Sequence, residues 1–132
     1  MQLEKNWTLP FPLDMVYAAW VSSDTVIPPA TRMDVQPEVG GHYRLFMESP
    51  DFSATNEGEF LLVEAPHRVI YTWEWNADGE VTTIDVRFSS VAEGTQILLS
   101  HAGFSSSDSL TNHDNGWDAY MEGFVEHLAT TT

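Results

Sequence analysis

Apolar residues recur along this chain with two different periods, and the switch between them divides it. Leu3, Lys5, Trp7 and Leu9 share one parity and predict a short strand over Gln2–Thr8, which Pro10 and Pro12 end. Leu13, Val16, Tyr17, Trp20 and Val21 then recur at helical spacing, with Pro12 suited to the first turn. Ser22-Ser23-Asp24 closes this helix and offers a cap for a second short one, which Pro28-Pro29 stops. From Thr31 the period becomes two. Arg32–Pro37, His42–Glu48, Gly58–Ala65, Arg68–Asn76, Val81–Val91 and Thr95–His101 read as strands. Gly40-Gly41, Ala65-Pro66, Asp78-Gly79 and Glu93-Gly94 separate them, so consecutive strands form an antiparallel meander.

Helical spacing returns at the C-terminus. A serine-rich loop, Ser105–Ser109, leads to Thr111-Asn112-His113-Asp114, which has the form of a capping box. Trp117, Tyr120, Met121, Phe124 and Leu128 follow at i, i+3, i+4, i+7 and i+11, one continuous and very aromatic stripe. The predicted order is strand, two short helices, six strands, long helix. A singly wound sheet of about seven strands must curl to bury its face, and the last helix is the body to curl around. The expectation is an α+β domain of this kind spanning residues 1–132.

Size agrees with that reading, because 132 residues make one domain with a core of its own. Five Lys plus Arg against twenty Asp plus Glu give a formal charge of −15, scattered rather than blocked. Such a surface repels phosphate backbones and anionic headgroups, so neither nucleic acid nor membrane is expected as a partner. No run of about eighteen apolar residues predicts a membrane span, and Met1–Leu9 lacks the form of a signal peptide. With no cysteine, the chain has no disulfide or thiolate chemistry and suits the cytoplasm.

Several segments in series now carry a resemblance. They are Gly40-Gly41-His42-Tyr43-Arg44, Gly58-Glu59-Phe60-Leu61, Ala65-Pro66-His67-Arg68-Val69-Ile70-Tyr71-Thr72-Trp73-Glu74-Trp75, Gly94-Thr95-Gln96-Ile97-Leu98-Leu99-Ser100-His101 and Gly116-Trp117. In this order, over nearly the whole chain, they resemble the activator of heat shock protein 90 ATPase homologue-like family. That family falls within the START, polyketide-cyclase and Bet v allergen-like superfamily of helix-grip folds. The resemblance implies a curved sheet around the last helix, with an apolar pocket between them. Many members place a tryptophan after the second helix; this chain has Thr25-Val26-Ile27-Pro28-Pro29-Ala30 there, near the implied pocket mouth.

Within that frame the expected function is binding of a hydrophobic small molecule, lipid-like or aromatic, by a monomer or homodimer without a cofactor. Tyr71, Trp73 and Trp75 share a strand face with Val69, and Trp117, Tyr120, Met121 and Phe124 share the helix stripe. Such aromatics pack a core as readily as they wall a cavity. His101 ends a strand whose Thr95, Ile97 and Leu99 face inward by parity, making it either a ligand contact or a satisfied core histidine. Arg44 is either a surface ion-pair partner, with Glu48 and Glu59 as neighbours, or an anchor for a ligand anion.

Catalytic templates find no match: there is no Gly-x-Ser-x-Gly elbow, phosphate loop or dinucleotide fingerprint. The five histidines form no metal-ligand spacing, so no metal site is expected. Two alternatives stay open. One is an enzyme of cyclase, aromatase or hydrolase type using His101, Arg44 and Tyr71. The other, suggested by the family name, is a chaperone-associated interaction module.

Overall fold

The alternating stretch from residue 32 onward becomes six strands, each hydrogen-bonded to the next, with the N-terminal strand added beside the last. The computed structural model describes residues 1–131. The elements are β1 (Gln2–Leu9), α1 (Leu13–Trp20), β2 (Arg32–Val35), β3 (His42–Ser49), β4 (Phe52–Glu64), β5 (Arg68–Trp75), β6 (Thr82–Val91), β7 (Gly94–Ala102) and α2 (Ser107–Thr131). All pairings are antiparallel, in the order β1-β7-β6-β5-β4-β3-β2. This is the helix-grip arrangement that the sequence predicts. Among the described residues no helix is long and apolar enough to cross a membrane.

Parity decides what the sheet buries. Val69, Tyr71 and Trp73 of β5, Ile84, Val86 and Phe88 of β6, and Ile97, Leu99 and His101 of β7 all turn into the core. The stripe of α2 meets them through Trp117, Met121, Phe124 and Leu128. From α1, Trp20 enters the same core. Its ring lies 5.8 Å from Phe88, 5.9 Å from Trp117 and 5.3 Å from Phe124, and its Nε1–H donates to the Tyr71 hydroxyl at 3.2 Å. The β6–β7 turn packs on the end of β1 so closely that a Cβ at Gly94 would sit 2.2 Å from the Leu9 carbonyl oxygen; glycine alone fits there.

The chain departs from the predicted pattern in three places. No second helix follows α1. Ser22 Oγ accepts the Asp24 N–H, Ser23 Oγ accepts the Val35 N–H, and the Thr25 hydroxyl donates to the Ala19 carbonyl. These side chains replace helical bonds locally, and Pro28-Pro29 removes the next two donors. Strand β4 begins at Phe52, six residues before the predicted start, because Ala54 and Asn56 continue its inward face with small and polar side chains. Helix α2 begins at Ser107, before the predicted cap at Thr111. Ser106 Oγ accepts the Ser109 N–H at 3.1 Å and so caps the helix one turn earlier.

Candidate functional site

The gap between sheet and helix is not filled. A cavity of about 720 Å³ lies between the inward faces of β3 and β5, the first half of α2, the Ile27–Ala30 segment and the β5–β6 turn. That volume falls within the ordinary range for small-molecule sites. Its walls include Tyr43, Leu45 and Met47 of β3, Trp73 and Trp75 of β5, and Trp117 and Tyr120 of α2. Toward the mouth, Asp78, Glu80, Asp108 and His113 join them, and no Lys or Arg does.

Trp73, Trp75, Trp117 and Tyr120 therefore border the void, while the other five candidates lie elsewhere. Tyr71 lies behind Tyr43, its ring stacked at 4.8 Å, and its hydroxyl accepts from Trp20. Phe124 is fully buried against Trp20 and Tyr120. Met121 faces the side of the helix toward β1, beside Trp7 and Leu9. Arg44 points outward, as strand alternation requires once Tyr43 and Leu45 point in. It lies 3.9 Å from Asp34 and 3.7 Å from Glu57, not beside the expected Glu48 and Glu59.

His101 is completely buried, and each of its ring nitrogens has a partner. The Trp117 indole N–H donates to Nδ1 at 3.0 Å, which leaves the proton on Nε2, 2.7 Å from the Thr82 hydroxyl. Thr82 in turn donates to the Trp73 carbonyl at 3.1 Å. Burial, reinforced by His113 nearby, pushes the His101 pKa down to about 3, so the ring stays neutral. The relay ties together Trp117 and Trp73, two walls of the cavity, and leaves no free nitrogen for proton transfer.

Polar chemistry inside the cavity comes from phenols. Burial raises the pKa of Tyr43 to about 12, and raises those of Tyr71 and Tyr120 well above the ordinary value. The Tyr43 and Tyr120 hydroxyls interact with one another, which lowers the pKa of Tyr43 against its burial and adds to the rise at Tyr120. At the mouth, Glu80 accepts the Ser105 N–H and the Ser105 and Ser109 hydroxyls. Those bonds hold its carboxyl down at about 2 and fasten the β5–β6 turn to the start of α2. Among the described residues no group of histidines and carboxylates could hold a metal ion.

Sequence reasoning passed over Tyr43, Leu45 and Met47. Their alternation within His42–Glu48 was the available signal, but nothing in it distinguishes a wall from packed core. His113 sits inside the expected cap, where a polar residue draws no attention. Its ring nevertheless packs 5.1 Å from His101 and 5.0 Å from Phe104, and its Nδ1 donates to the Ser109 carbonyl at 2.8 Å.

A family model described as Activator of Hsp90 ATPase homolog 1-like protein matches residues 10–129. No curated protein matches the chain. Among solved structures, protein CV1439 from Chromobacterium violaceum superposes with a TM-score of 0.85 at 14% identity, covering 96% of each chain. The AHSA1-like protein from Aeromonas hydrophila gives 0.84 at 21% identity, over 99% of this chain and 94% of that one. Protein MLL2253 from Mesorhizobium loti gives 0.83 at 19% identity, over 100% and 98%. At such identities these likenesses establish the fold alone.

Proposed function

Starting from a chain that belongs to the Activator of Hsp90 ATPase homolog 1-like family, we propose that it binds a hydrophobic, ring-bearing small molecule between its sheet and its last helix. The observation that supports this most directly is the cavity of about 720 Å³, walled by Trp73, Trp75, Trp117, Tyr43 and Tyr120. Rigid aromatics this numerous could have closed the gap by packing against one another, yet a ligand-sized space is left. The enzyme alternative has less support. Its three candidates do not converge: His101 is saturated, Tyr71 is stacked behind Tyr43, and Arg44 faces outward.

The −15 charge and the acidic mouth support a role away from nucleic acid and anionic membranes. The cysteine-free composition supports a cytoplasmic setting, and nothing in the proposed site needs a second subunit. The experiment is native mass spectrometry of freshly purified protein, paired with titration of a neutral fluorescent hydrophobe. A co-purifying small molecule, or saturable micromolar binding weakened at least tenfold by Met47→Trp, is expected. No co-purifying molecule together with no saturable binding of the dye overturns the reading.

A further inference from the structure

The hydrogen-bonding capacity inside the cavity is lopsided. The Tyr43 and Tyr120 hydroxyls interact with each other on the cavity wall, and whichever of the two donates, one phenol proton finds no acceptor among the described residues. The indole N–H of Trp73, whose ring lies 5.9 Å from that of Tyr43, also lacks an acceptor but is sealed from the cavity, so the phenol is the donor a ligand can reach. One phenol proton thus stands unpaired beside an apolar space, and a buried donor without a partner costs stability of a kind that evolution rarely leaves idle.

Charge narrows what could pair with it. No Lys or Arg lines the cavity, while Asp78, Glu80 and Asp108 stand at its mouth. A carboxylate or phosphate entering would pass that rim and then lose its hydration with no cation to replace it. Tyr43, held up near 12, remains a neutral donor and cannot serve as a base or as a counter-charge.

We propose that the ligand is uncharged and presents a carbonyl oxygen to the Tyr43 hydroxyl, with its ring system against Trp117 and Tyr120. A carbonyl supplies lone pairs and no proton, the complement of a neutral donor without an acceptor. This inference rests on the cavity being a binding site and adds the chemical class of its occupant.

Three isosteric probes test it: 2-acetylnaphthalene, 2-isopropenylnaphthalene, in which a methylene replaces the carbonyl oxygen, and 2-naphthoate. Each is titrated against wild type and Tyr43→Phe by intrinsic tryptophan fluorescence. Tyr43→Phe should weaken the ketone about five- to tenfold, as loss of one hydrogen bond does, and leave the isopropenyl compound within about twofold. Naphthoate should bind wild type at least tenfold more weakly than the ketone. Should Tyr43→Phe not fold, isotope-edited infrared spectroscopy of the ketone on wild-type protein decides instead. Its carbonyl band is expected below the position found in an alkane. Equal losses for ketone and isopropenyl compound, a tighter naphthoate, or an alkane-like carbonyl band would each overturn the anchor while leaving the cavity reading intact. If none of the three binds, the cavity reading itself falls, and the anchor with it.

Discussion

Trp117 donates its indole proton to Nδ1 of His101 across 3.0 Å, and that single bond settles the state of both residues. An indole can only donate, so Nδ1 must be the bare nitrogen. The histidine becomes a fixed acceptor, and the tryptophan plane is held at the wall it forms.

His101 should therefore give the fold an acid-sensitive step. Its folded pKa, about 3, lies below the unfolded value near 6.5, so the unfolded chain binds the extra proton between them. Stability is complete above about pH 6.5 and falls as the pH drops toward 3. For one such group the loss by pH 5 is about 2 kcal/mol. His101→Gln keeps an acceptor for Trp117 and a donor for Thr82 but cannot titrate. Urea melts at pH 7 and pH 5 should show a smaller pH loss for the variant. Equal losses would mean that another group titrates.

Glu80 works with the opposite sign. Its carboxyl is held near 2, below the ordinary carboxylate range, so its contribution is present at neutral pH and fades as the pH falls through the acid range. The site is close to solvent, which limits the effect of Glu80→Gln on global stability to about 1 kcal/mol. The larger consequence is local. Amide exchange at Ser105 and Ser109, whose N–H groups lie beside this fastening, should accelerate several-fold at pH 7. Unchanged exchange there would show that the helix start does not depend on Glu80.

Asn56 is fully buried, and neither its amide oxygen nor its nitrogen has a partner. Across the sheet it is flanked by Leu45 and Trp75. Replacing a stranded amide with a leucine of similar reach removes that penalty, so Asn56→Leu should stabilise by about 1–3 kcal/mol. Calorimetry is the check. A lower melting temperature would point to an ordered water or ligand group on the amide.

Helix α2 buries Trp117, Met121, Phe124 and Leu128 against the sheet. At about 1.5–3 kcal/mol for each side chain, their total rivals the whole stability of a typical domain, about 5–15 kcal/mol. A chain ending at Ser106 should lack a cooperative thermal transition. A sharp melt near the wild-type temperature would mean that the sheet holds itself together.

How legible all this was varied with the kind of signal. Periodicity exposed β5 and β7 because Val69, Tyr71 and Trp73, or Ile97, Leu99 and His101, alternate without interruption. It missed the first half of β4, where Ala54 and Asn56 face inward and carry no hydrophobic mark. Capping rules identified a plausible box at Thr111, but Ser106 competes for the same helix and lies a turn earlier. For the site, residue type located four wall residues on β5 and α2. It could not separate Tyr120, which borders the void, from Met121, which lies around the helix toward β1. One residue rotates a side chain by about 100° on a helix, and only the packed structure says which direction holds empty space.

Gly123 has an effect that its place in the middle of α2 does not suggest. Alanine at an ordinary helix interior improves on glycine by about 1 kcal/mol. Here a methyl group would land 2.3 Å from Cγ2 of Ile27, in the segment that borders the cavity. Any side chain at this position must displace the side chain of Ile27. The missing methyl thus acts at a distance from the helix backbone: it leaves the Ile27 side chain its seat at the edge of the cavity.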